Sequence, residues 1–147
     1  MVQRILVPVD GSDLSDRAMT ASLELARQLG VPVTGFIAEP SLAPASGPRA
    51  QALLEDEDHD ADIMNESHAQ RVLSLFEQRA REAGVPFEGV HQRVPRVDRA
   101  IIAAAESRGC DLIVMVTRGR GAFGEFLFGS HTKAVLAGCK LPLLVLR

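Results

Sequence analysis

The stretch from Asp111 to Arg147, DLIVMVTRGRGAFGEFLFGSHTKAVLAGCKLPLLVLR, decides the fold. Its apolar run Leu112 to Val116 has the length and branching of a strand buried on both faces of a parallel sheet. The run stops at a glycine-punctuated loop, and Gly129-Ser130 opens a short amphipathic segment that predicts a helix. Leu141 to Arg147, again apolar, closes the chain as a further strand. A strand, a glycine loop and a helix N-terminus in succession offer backbone N–H groups, backed by the positive helix end, to a phosphate.

The same alternation runs through the rest of the chain. Arg4 to Val9 (RILVPV) reads as a buried strand, followed by Asp10-Gly11-Ser12. Ser12 is placed to cap the next helix, with Asp13 and Asp16 in its first turn, where the dipole favours negative charge. Leu14, Ala18, Ala21, Leu25 and Leu29 recur at helical spacing and predict the buried stripe, and Gly30 ends the helix. Val31 to Ala38 predicts a second strand. From residue 40 to 62 the composition shifts to Pro, Gly and an acidic block, Glu55 to Asp62, which predicts a mobile acidic loop within the domain. His59 and His68 beside those acids are metal-ligating types, but a charge run of this kind reads as a solvated loop leading into a helix. That helix is expected from Ile63 to Ala83, with Val72, Leu75, Phe76 and Ala80 inward, ending at Gly84. Val85 to Val94 is more polar, as an edge strand would be. Asp98 to Ser107 predicts a short helix with Ile101, Ala104 and Ala105 inward. Strands alternating with helices give an α/β fold, Rossmann-like, with an open parallel sheet and helices on both faces. No repeat or second domain interrupts residues 1–147.

Bulk composition narrows the function. The 147 residues are 46% apolar but only 4% aromatic, so the core is built from Val, Ile, Leu and Ala. A net charge of −3 without a basic block argues against nucleic acid as the main partner. No apolar run reaches the ~20 residues of a membrane span. Met1 to Arg4 leads straight into a strand, so a cytoplasmic location is expected. Two isolated cysteines, Cys110 and Cys139, form neither a disulfide framework nor a zinc motif.

In an open parallel sheet, ligands bind beyond the carboxyl ends of the strands where strand order reverses. The residues richest in chemistry follow the first strand (Val9 to Ser12) and the fourth (Val116 to Ser130). Gly119, nine intervening residues and Gly129-Ser130 resemble the nucleotide loop of the universal stress protein family, G-x2-G-x9-G-[ST]. Val116 occupies the position of the first motif glycine. ILVPVDGS, DLIVM, TRGRG, GSHTKAVL and LPLLVLR carry the resemblance over essentially the whole chain. It implies strand order 3-2-1-4-5, with the site between strands one and four. It further implies that Pro8, Val9 and Asp10 line the adenosine end, with the Asp10 carboxylate near the ribose or a phosphate-bound metal. Ile37 would lie against the adenine, and Met115, Val116, Arg118 and Gly119 would form the floor and turn of the loop. Gly129, Ser130, His131 and Thr132 would set a helix N-terminus against the phosphates. Arg118 and Arg120 could add charge-assisted bonds. ATP, with Mg carried on its phosphates, is the implied ligand, and a homodimer through the C-terminal strand the implied assembly.

Competing motifs fail on context. Gly119 to Gly124 spells G-x-G-x-x-G, but no acid follows about twenty residues on to hold a ribose. There is no G-x4-G-K-[ST] and no G-x-S-x-G. A phosphate-receiver domain would need an acidic cluster after strand one, where Asp10 stands alone. No side chain forms a general base within a defined catalytic pair, which argues against rapid chemistry. The leading expectation is an ATP-binding regulator or sensor of stress response. The alternatives are a dimeric interaction protein with an empty or weakened site and, less favoured, a slow ATPase.

Overall fold

The structure, a computed structural model, describes residues 1–41, 66–117 and 130–147, with Ser130 through its backbone alone. Five parallel strands form one sheet: β1 (Ile5–Pro8), β2 (Val33–Pro40), β3 (Phe87–Val94), β4 (Leu112–Val116) and β5 (Leu143–Leu146). Their order is β3-β2-β1-β4-β5, as expected. The helices are α1 (Asp13–Leu29), α2 (66–82), α3 (Val97–Ser107) and α4 (Ser130–Gly138).

Alternation along the central strands divides the core in two. Ile5, Val7, Val9, Val33, Ile37 and Val114 point to the face covered by α1 and α2. Leu6, Phe36, Val90, Ile113 and Met115 point to the face covered by α3 and α4. Both clusters are aliphatic, and Phe76, Phe87 and Phe36 supply their aromatic bulk. Cys110 is buried in the second cluster, where desolvation raises its thiol pKa and holds it neutral. At the opposite end of the sheet from the strand C-termini, the Asp111 carboxylate accepts the Gln3 and Arg4 amides at 2.9 and 3.1 Å. This pins the start of β1 to the start of β4.

Three readings of the pattern are corrected here. The buried face of α1 is Ser15, Ala18, Met19, Ser22, Leu23 and Ala26, while Leu29 is 48% exposed and Leu25 sits at the margin. Small residues let α1 lie close on the sheet, and Ser22 is buried because its hydroxyl donates to the Met19 carbonyl at 3.2 Å. Leu75 is 43% exposed, and α2 instead buries Ala69, Val72, Phe76 and Ala80. β2 extends through Glu39 and Pro40, which pair with Arg93 and Val94, so the chain stays in the sheet at the start of the expected loop. Residues 42–62 of that loop, including His59, lie outside the described residues, as does the start expected for α2 at Ile63.

Candidate functional site

Pairing between β1 and β4 is brief. It holds for two rungs, Ile5 with Leu112 and Leu6 with Ile113. Beyond them β1 leans on β2, where the Val9 amide donates to the Phe36 carbonyl at 2.9 Å. β4 leans the other way onto β5, where the Thr117 amide donates to the Leu146 carbonyl at 2.8 Å. The strand ends part, and a cleft of about 240 Å³ opens between them. Pro8, Val9 and Asp10 line it from β1, Met115 and Val116 from β4, and His131 and Thr132 from the first turn of α4. Leu14, Ser15 and Ala18 of α1 complete the wall.

The turn after β1 is tightly tied. Ser15, 4% exposed, accepts the amides of Asp10 at 2.8 Å and Gly11 at 2.9 Å through its hydroxyl oxygen. The same hydroxyl donates to Asp10 Oδ1 at 2.9 Å, and the Ser12 amide donates to Oδ1 at the same distance. This is an Asx turn locked from inside α1. Ser12 stands at the N-cap position as expected, but its side chain makes no cap bond, and its hydroxyl has no partner among the described residues. Burial tends to raise the Asp10 carboxyl, but the hydrogen bonds from Ser12 and Ser15 outweigh it and hold the pKa below the ordinary value. Asp10 is therefore ionised at neutral pH.

The other residues fall unevenly. Val116 is half-buried and stands in the cleft wall, its branched side chain against the α1 side of the core. Thr132 is buried and His131 exposed, while Val135 anchors α4 to the core beneath them. Ile37 is absent from the described lining of the cleft and is buried in the core under α1 and α2. Arg118, Gly119, Arg120 and Gly129 lie outside the described residues, and of Ser130 the structure gives its place as the first residue of α4. Leu14, Ser15 and Ala18 were not foreseen as lining residues. The signal for Ser15 was a small hydroxyl one turn into the helix after D-G-S, close enough to reach back to the strand end. Among the described residues no group of three or more His, Cys, Asp or Glu could hold a metal.

Comparison with known proteins decides the family. The universal stress protein family profile matches residues 1–147. The chain belongs to the universal stress protein family. It is similar to the "universal stress protein in QAH/OAS sulfhydrylase 3'region" of Thermus aquaticus, 30% identical over 156 aligned positions that span 100% of both chains. Among solved structures, a universal stress protein from Archaeoglobus fulgidus is 26% identical with a TM-score of 0.74, covering 100% of each chain. A universal stress protein from the same organism solved in complex with dAMP is 23% identical, with a TM-score of 0.71 and full coverage of both chains. The shared universal stress fold is thus the open sheet described above, with the strand reversal between β1 and β4. No helix among the described residues is long and apolar enough to cross a membrane.

Proposed function

We propose that the cleft between β1 and β4 binds an adenine nucleotide, ATP in the cell, and that the protein acts as a regulator or sensor. The observation that carries this reading is the cleft's position at the strand reversal, with an ionised Asp10 on one side and the N-terminus of α4 on the other. The dAMP complex of the Archaeoglobus fulgidus relative supports adenine nucleotides as the ligand class.

The residues present suit such a ligand. Val9, Ala18, Met115 and Val116 offer an apolar bed for a base or sugar. The Asp10 carboxylate is an acceptor for sugar hydroxyls, or a ligand for a Mg ion carried on the phosphates. The first amides of α4, beside His131 and Thr132, face the cleft with the positive end of the helix dipole. Ser130, Gly129, Gly119, Arg118 and Arg120 complete the phosphate side in this proposal. On this reading the cleft serves binding rather than turnover.

A second reading is favoured by one observation, the valine in the wall. If Val116 excludes the ligand, the molecule is an interaction protein of the same fold. Calorimetric titration with AMP and ATP separates the two: saturable heat supports nucleotide binding, and none supports the interaction protein.

A further inference from the structure

The peptide unit between Asp10 and Gly11 is held at both ends from two different helices. Its N–H donates to Ser15 Oγ of α1 at 2.9 Å. Its carbonyl lies 3.0 Å from His68 Nε2 of α2, which must donate because the carbonyl only accepts. Gly11 makes the second contact possible. Its φ is +86°, and a Cβ there would sit 2.5 Å from His68 Nε2, 2.7 Å from Cε1 and 2.9 Å from Val72 Cγ2. A glycine with φ in this range is also free to let the preceding peptide rotate, so the backbone alone does not fix the turn.

We infer that His68 is the positioning residue of this turn: by holding the Asp10 carbonyl it stops the Asp10–Gly11 peptide from rotating and so aims the Asp10 carboxylate into the cleft. Ser15 holds the N–H end of this peptide and one carboxylate oxygen, and because N–H and C=O share one rigid plane, His68 adds a second anchor, from α2, against rotation of that plane. Val72, one helical turn beyond His68, is buried and fixes α2 against the same corner. The ring is exposed and is absent from the cleft's lining. In this inference His68 acts through Asp10 and not as a lining residue. It is also 58 residues from Asp10 in the chain, which couples the first turn of α2 to the site.

The test compares the parent with His68→Leu and His68→Gln, since a glutamine amide can place an N–H donor near the position of Nε2. The first readout needs no ligand: amide hydrogen exchange at Gly11 and Ser12, followed by NMR. Exchange should rise in His68→Leu and return towards the parent in His68→Gln, with thermal unfolding showing all three folded. Unchanged exchange in His68→Leu, or no recovery in His68→Gln, overturns the inference. The second readout rests on the nucleotide reading: AMP affinity should fall about two- to tenfold in His68→Leu and recover in His68→Gln. If the parent binds AMP and His68→Leu binds it equally well, His68 does not aim Asp10. A parent that binds no AMP contradicts the nucleotide reading, while the exchange data still decide the role of His68.

Discussion

At the scale of single residues the site turns on Asp10 and Val116. Asp10 was legible as a candidate because it follows a strand end where strand order reverses, and it lines the cleft. Its lowered pKa was not legible, since it depends on hydrogen bonds from Ser12 and then Ser15 that outweigh burial only once the turn has folded. Val116 was legible as a departure from the family motif, and the structure sets its side chain in the cleft wall. Val116→Gly clears that wall and lets backbone and ligand approach. AMP or ATP affinity should rise by ~1–2 kcal/mol, near tenfold, the scale of relieving one overpacked contact. Stability should fall by about 1 kcal/mol, because glycine at a strand end loses packing and gains unfolded-state freedom. Titration calorimetry beside thermal unfolding reads both, and unchanged affinity in a binding parent would mean the valine is harmless.

At the scale of elements, β1, β4 and β5 were readable as short aliphatic runs, whereas β2, interrupted by Gly35, and the more polar β3 were readable from their place between helices and turns. Which side of each helix faces inward was less readable. Leucines at helical spacing marked the α1 stripe, yet the buried positions include Ser15 and Ser22, whose hydroxyls are satisfied locally and so carry little penalty. The contact of His68 with Asp10 had no sequence signal at all, since nothing local links residues 58 apart. Packing of α2 on the sheet depends on a missing side chain. A Cβ on Gly35 of β2 would lie 2.7 Å from Phe87 Cζ and 2.8 Å from Phe76 Cδ1. Those two rings stack tilted, with centroids 4.7 Å apart, across the strand. Gly35→Ala should therefore destabilise the protein by about 1–3 kcal/mol through overpacking. Denaturant unfolding checks this, and a variant as stable as the parent would show that the rings yield freely.

At the scale of the whole molecule, β3 and β5 are the sheet edges. β3 carries Glu88, Gln92 and Arg93 along its length, the charged and polar dress of an edge that resists pairing. β5 is Leu-Leu-Val-Leu, with Leu144 37% exposed and Leu136 of the neighbouring α4 53% exposed. An apolar edge of this kind calls for a partner, and we propose a two-fold dimer through β5. Sedimentation at micromolar concentration should give twice the chain mass, and Val145→Lys should shift it towards monomer; a parent that sediments as a monomer contradicts the dimer. The central claim is that the cleft at the strand reversal takes an adenine nucleotide through Asp10. The most direct measurement is calorimetric titration of AMP into the parent and into Asp10→Ala, with folding of both verified by thermal unfolding. The account predicts saturable one-site binding to the parent, weakened at least tenfold in Asp10→Ala, the scale of losing a charged hydrogen-bond acceptor. A parent that gives no binding heat, or an Asp10→Ala variant that binds as tightly as the parent, would contradict it.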